Sequence, residues 1–409
     1  MGFIYGLAVA LLIIFEGIII QCEGAGISEG SEGPSSSNQG EGRTSDNEGI
    51  SMPEHLIEEI FGHIRNTGRQ TILEDGTERY PDLLMSVLLQ NCIIVIKTNI
   101  FDETNSEVDR GFDASYEYEN SDETLTFGNY KGLELFFKNY GKHIKKIHIT
   151  MKSRHFEPRI LTILKKCENN LEELRFSSVF DDGQFWTELS NGNKFPKMKT
   201  FVMTAWIKQK NFKLNKIFPE LEYLTLAGSV TDEDCLADMK HLKELTLRTT
   251  SIPEKKLDSI FQKNNGITMI LLKEPKMRET MQSLAQHLKN LKELVFSLPG
   301  ENFLLQEKGD PICEFPKVEK LTIFSGVIHK SCEIEKLSFK MPKLRELTLH
   351  GNSLDKLFVG FIEHFERLET LRLPNLESEL LQLVMQTWTY SKLTYIDNFD
   401  YLEFKKSNK

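Results

Sequence analysis

Leu242-Lys-Glu-Leu245-Thr-Leu247, Leu344-Arg-Glu-Leu347-Thr-Leu349 and Leu368-Glu-Thr-Leu371-Arg-Leu373 repeat one arrangement of apolar residues. With any large apolar residue allowed at the leucine places, the arrangement recurs from Ile144, Leu171, Met198, Leu221, Leu242, Ile267, Leu291, Val318, Leu344 and Leu368, at spacings of 21 to 27 residues. A further copy from Leu393 keeps Ile396 but carries Asn398 at its third place. Alternation with a period of two marks each copy as a short strand. Its second and third apolar residues point to a core, and the residues between them point to the opposite face.

Spacings of this size fall within the roughly 20–29 residues of leucine-rich repeats. Between the strands, Ile160, Ile163, Leu164 and Cys167, then Met281, Leu284, Ala285 and Leu288, and then Phe361, Ile362 and Phe365 follow helical periodicity. A proline precedes four of the strands, at Pro196, Pro219, Pro316 and Pro342, where it ends a helix and sets an extended approach. No single repeat can bury its apolar face, so stacking builds one continuous core. The expected fold is α/β: a leucine-rich-repeat solenoid over 130–400, with a parallel concave sheet and a helical convex side.

Ahead of the repeats stands Met52-Pro53-Glu54-His55-Leu56-Ile57-Glu58-Glu59-Ile60-Phe61. Its apolar residues fall on one wide face of a helix, which read by periodicity alone suits a helix capping the solenoid. The segment also resembles the opening of an F-box, Leu-Pro-x-Glu-Leu/Ile-Leu-x-x-Ile-Phe, with Met52 in place of Leu. The resemblance covers residues 51–101, including the apolar run Leu83 to Cys92. A polar stretch, Asn66 to Arg79, separates the two apolar segments, and the family's Val-Cys-x-x-Trp pattern is absent. The junction Phe127 to Gly141, leading into the first repeat, is similar to that of insect F-box leucine-rich-repeat proteins. The resemblance implies a small helical segment that docks a Skp-type adaptor through Pro53, Leu56, Ile57, Ile60 and Phe61. It further implies a substrate-recognition subunit of a Skp-cullin-F-box ubiquitin ligase, with the chemistry on other subunits and the substrate held by the repeats.

The rest of the 409-residue chain bounds this reading. Phe3 to Ile20 is apolar except for Glu16, a length compatible with a signal peptide or a short membrane span. Against a signal peptide, no Lys or Arg precedes the run. Residues 23–50 are rich in Gly, Ser and acidic residues, with Arg43 the one basic residue, the composition of a disordered linker. No Asn-x-Ser/Thr acceptor occurs, and the six cysteines at 22, 92, 167, 235, 313 and 332 form no cluster. These features suit a reducing compartment, cytoplasmic or nuclear. The alternative is a secreted or membrane-anchored leucine-rich-repeat recognition module, held through residues 3–20. The remaining boundaries are a connector at 102–129 and a tail at 401–409.

Fifty Lys and Arg against 60 Asp and Glu give a net charge of −10, which does not indicate a general nucleic-acid surface. The sequence contains no HExxH or Gly-x4-Gly-Lys-Ser/Thr motif, and its Gly-x-Ser-x-Gly match, Gly26 to Gly30, falls within the Gly/Ser linker rather than between a strand pattern and a helix pattern, so no catalytic, metal or cofactor residue is expected. Binding is what a solenoid offers. Among the residues expected on the concave face, Val202, Tyr223, Met269, Leu271 and Val295 are candidates for a substrate-binding apolar patch, unless a loop covers them.

Overall fold

The computed structural model describes residues 89, 92–98, 112–118 and 124–127, and residues 130–406 apart from 152–157, 182, 193, 207–212, 229–232, 237, 249–251, 253, 274–276, 299–312, 326–338, 351–361, 363–364, 375, 377 and 397–398. The expected apolar segment 1–22, the linker 23–50 and the adaptor-docking residues Pro53, Leu56, Ile57, Ile60 and Phe61 lie outside the described residues. Among the described residues no helix is long and apolar enough to cross a membrane.

All ten repeat signatures become strands. They are β4 (Lys146–Met151), β5 (Glu173–Asp181), β6 (Thr200–Trp206), β7 (Tyr223–Leu226), β8 (Glu244–Leu247), β9 (Met269–Lys273), β10 (Glu293–Leu298), β12 (Lys320–Ser325), β14 (Glu346–His350) and β15 (Thr370–Leu373). They lie side by side in chain order, each parallel to the next. Equivalent residues of successive copies stand opposite one another, as Leu224, Leu245, Ile270 and Leu294 do. These four are 0–2% exposed, and Leu247, Leu347 and Leu349 are also 0–2% exposed. Burying each such side chain is worth about 1.5–3 kcal/mol, which is why the register is held from rung to rung.

The returns pack on one face of the sheet. They include helices α1 (Tyr130–Tyr140), α2 (Pro158–Cys167), α3 (Gly183–Ser190), α4 (Leu214–Ile217), α5 (Glu254–Lys263), α6 (Met277–His287) and α7 (Ser378–Thr387), and the two-residue strands β11 (Cys313–Glu314) and β13 (Phe339–Lys340). The helical periodicity read from sequence holds in two of the three returns, where Ile160, Ile163, Leu164, Cys167, Leu284 and Leu288 are at most 2% exposed; Phe361 of the third lies outside the described residues. The four prolines serve a different purpose from the one expected. Phe195, Phe218, Phe315 and Met341 are buried just before them, and each of their carbonyls accepts from the backbone N–H three residues on. Proline therefore occupies the second place of a tight turn, which its fixed φ favours. Met239, Leu288 and Phe365 make the same turn without proline.

Between β7 and β8 the described residues form a single 3-10 turn, Glu233–Leu236. Asn264 closes it from the next repeat: its Nδ2 donates to the carbonyls of Leu236 (3.0 Å) and Ile260 (2.8 Å), and its Oδ1 accepts from the Met239 N–H (2.8 Å). Elsewhere aromatic rings fill the core. Phe176 stacks on Phe185 at 4.5 Å, and Trp186 meets Phe201 edge-on at 6.1 Å.

Three boundaries differ from the expected ones. Residues 92–98, expected within a helical segment, form β1 (Cys92–Thr98), which is parallel to β4 and places one rung ahead of 130. The β-branched run Cys-Ile-Ile-Val-Ile-Lys-Thr favours a strand, and Ile94 and Ile96 are fully buried. β2 (Phe112–Tyr118), antiparallel to β1, and β3 (Thr124–Phe127), antiparallel to β2, both in the expected connector, then continue the sheet. At the far end the expected tail is β17 (Phe399–Lys406), antiparallel to β15, with Phe404 fully buried. The Leu393 copy makes no parallel rung. It lies in β16 (Trp388–Ile396), antiparallel to β17 at the outermost edge, with Leu393 59% exposed. Both ends of the fifteen-stranded sheet thus reverse direction, which satisfies backbone groups that an open parallel rung would leave bare.

One column of charges follows from the register. The residue after the first apolar place of each copy reads Lys145, Glu172, Lys199, Glu222, Lys243, Thr268, Lys292, Glu319, Arg345 and Glu369, and the N–H of each donates to the carbonyl of the one before. Signs alternate except around Thr268, giving ion pairs at 3.1 Å for Lys145–Glu172 and 3.8 Å for Arg345–Glu369.

Candidate functional site

The sheet face opposite the returns, called the open face here, carries the residues that alternate with the core leucines. Because the register is constant, these residues form columns across the rungs. One column contains Lys146, Glu173, Thr200, Tyr223, Glu244, Met269, Glu293, Lys320 and Glu346. The next, two residues further along each strand, contains His148, Arg175, Val202, Thr225, Thr246, Leu271, Val295, Thr322, Thr348 and Arg372.

The five apolar candidates do not form one patch. Val202 stands between Arg175 and Thr225, and Tyr223, 37% exposed, stands between Thr200 and Glu244. Met269, Leu271 and Val295 do come together. With Phe324 and Tyr401 they line a hollow of about 210 Å³, bordered by Glu293, Lys320, Glu346 and Arg372. Val295 is only 6% exposed, so it contributes floor more than surface. Glu293 and Phe324 are additions to the sequence candidates; each stands at a fixed offset from the start of its copy, as Glu244 and His350 do, so the repeat register is the signal that finds them. Tyr401 had no repeat signal, since it lies in the antiparallel closing strand.

Charges on this face fall into two kinds. On β4 and β5, Glu173 accepts from His148 Nε2 at 3.2 Å and from Arg175 Nε at 2.6 Å. The His148 hydrogen bond, helped by Arg175, outweighs burial and holds the Glu173 carboxyl down at about 2. At the far end Arg372 bridges Glu403 (2.8 Å) and Glu346 (3.0 Å). Burial would raise Glu403, 3% exposed, but Arg372, with Lys405 and Lys392, holds it below the usual carboxylate range. Beside them burial lowers the His350 imidazole, and its Nδ1 shares a 3.1 Å hydrogen bond with the Tyr401 hydroxyl.

The middle rungs are different. Among the described residues no ion pair or side-chain hydrogen bond reaches Glu244 or Glu293. Lys320, opposite Glu293, turns instead to Glu346 at 3.6 Å. Burial, with the charge of Glu293, raises the Glu244 carboxyl above its ordinary value.

Elsewhere, Asp258, Ser283 and His287 meet on the returns, but not as a nucleophile site. Ser283 Oγ donates to Asp258 Oδ1 (2.7 Å), and His287 Nε2 contacts the same oxygen (3.1 Å), so no imidazole takes the serine proton. The trio clips α5 to α6. Among the described residues no three His, Cys, Asp or Glu side chains gather as they would around a metal ion. Cys92, Cys167, Cys235 and Cys313 are buried free thiols.

No family model and no curated protein matches the chain. Among solved structures it is similar to a chain described as "Structure of the Toll - Spatzle complex, a molecular hub in Drosophila development and innate immunity", at 14% identity and a TM-score of 0.33. The similarity covers 61% of this chain and 32% of that one. The solenoid assignment rests on the strand register and the returns themselves.

Proposed function

We propose that the chain is a protein-recognition module with the open face of the sheet as its binding surface. The hollow over Met269, Leu271 and Val295 carries this reading. At about 210 Å³ it is smaller than the roughly 300–1,000 Å³ of small-molecule pockets, and its apolar floor with a charged border suits side chains of a protein surface. No catalysis and no cofactor belong to this function.

The finer reading rests on the F-box resemblance. Residues 51–101 dock a Skp-type adaptor through Pro53, Leu56, Ile57, Ile60 and Phe61, and the chain serves a Skp-cullin-F-box ubiquitin ligase as substrate receptor in the cytoplasm or nucleus. The apolar run Phe3 to Ile20 favours the second reading, a secreted or membrane-anchored recognition module. Retention of purified Skp-type adaptor by the immobilised full chain separates the two. The pair Ile60→Ala and Phe61→Ala should weaken retention by roughly 3–6 kcal/mol without lowering the melting temperature. A folded chain that retains no adaptor overturns the ligase reading. A loss of melting temperature in the double variant supports the capping-helix alternative.

A further inference from the structure

Tyr223, Glu244, Met269 and Glu293 stand on four successive rungs in one register line. With strands about 4.8 Å apart, the two glutamates bracket Met269 at a backbone separation of about 10 Å. Neither carboxylate has a side-chain partner among the described residues; Met269 stands between them in the register, and with Leu271 and Val295 it lines the hollow beside Glu293. We propose, building on the recognition reading above, that this line receives a Lys or Arg side chain of the protein partner. Its aliphatic stem lies on Met269 and Leu271, and its cationic head lies between Glu244 and Glu293.

The chemistry favours that occupant over others. A neutral or acidic group would leave the repulsion between the two carboxylates in place, whereas a cation relieves it at both ends. A long basic side chain also supplies the apolar stem that the Met269 surface calls for. A divalent metal is a poor fit, because it needs six or more oxygen ligands at 2.0–2.6 Å or so, and no third ligand joins the pair among the described residues. The protein also shows which glutamates are not available: Glu173 and Glu346, at the same place in their own copies, are already paired with Arg175 and Arg372. At the other ends of these strands, Arg248 follows β8 and Lys273 closes β9, about 13 Å along the strand direction from the acidic line. An extended segment whose basic residue lies at Glu244 and Glu293 therefore meets bases at its far end.

Panning a random heptapeptide library on the immobilised full chain tests the proposal, with four versions of the chain in parallel: wild type, Glu244→Gln with Glu293→Gln, Leu271→Arg, and Glu319→Gln with Glu369→Gln. The last pair removes two carboxylates from the charge column, away from the hollow. The expected result is enrichment of Lys- or Arg-containing peptides on wild type and on the Glu319/Glu369 variant, with a selected peptide binding at least tenfold more weakly to the Glu244/Glu293 variant. Retention lost equally in the Glu319/Glu369 variant would mean attraction to the chain's net charge, and the proposal falls. Peptides that depend on Leu271 but carry no base, or that bind the Glu244/Glu293 variant undiminished, also overturn it while leaving the recognition surface standing. If wild type enriches nothing beyond the Leu271→Arg variant, the recognition reading falls with it. Melting curves of all four chains establish that each is folded.

Discussion

Four glutamates, Glu173, Glu244, Glu293 and Glu346, occupy the same place in four copies of one short motif, yet the two ends of the sheet and its middle treat them in opposite ways. At the ends, Glu173 is held by His148 and Arg175, and Glu346 by Arg372 and Lys320. In the middle, Glu244 and Glu293 face Met269 across the register. The motif is the same in all four, so the difference comes from the neighbours: His148 and Arg372 reach across from the next rung, and Arg175 from two places along the same strand. A carboxylate whose neighbours are basic contributes to the fold. One that no basic neighbour reaches, as where Lys320 turns from Glu293 to Glu346, is left for a partner.

The comparison is broken most severely by removing a cation from an end. Arg372→Ala leaves Glu403 buried with only the weaker charges of Lys405, at 3.5 Å, and Lys392 to offset it. Unfolding in urea should show a loss of about 3 kcal/mol, and a loss under 1 kcal/mol would mean the pair is not structural. The next effect concerns Glu173. Its folded value lies below the unfolded one of about 4.3, so its contribution is complete above that pH and disappears as the pH falls through about 2. Glu173→Gln should therefore cost up to about 3 kcal/mol at pH 7 and almost nothing near pH 2.

Glu244 sharpens the contrast, because its shift has the opposite sign. A raised folded value means that the charged form is penalised in the native state above that value, with no penalty below the unfolded one. Glu244→Gln should raise the melting temperature at neutral pH, with the gain vanishing below about pH 4. Two pH series with slopes of the same sign would show that the two rungs do not differ. Smallest is the charge column. Arg345 and Glu369 are both well exposed, so Glu369→Gln should cost less than about 1 kcal/mol, and that cost should disappear in 1 M salt.

Much of this architecture is legible in the chain. The alternation in Leu242-Lys-Glu-Leu245-Thr-Leu247 marks which residues are buried, and its recurrence marks the strand order, because both depend on local geometry that every copy shares. The ends were not legible. Cys92–Thr98 and Phe399–Lys406 lack the repeat signature, and they join the sheet to cover an exposed edge, a need that arises only once the stack exists. Leu393 shows the converse, a signature that falls beyond the last rung and ends on an antiparallel edge. The apolar patch was legible in part. Met269, Leu271 and Val295 meet because rungs β9 and β10 are adjacent, whereas Glu244 and Thr246 on β8 stand between them and Tyr223 on β7.

The sequence by itself determined the repeat, the parallel stack and the face each side chain takes, since these follow from apolar periodicity acting over six residues at a time. Only the tertiary structure decided which charges are paired, where the hollow lies and how the sheet is closed. Those properties depend on which residue stands about 5 Å across the next strand, and that neighbour is set by the length of each return.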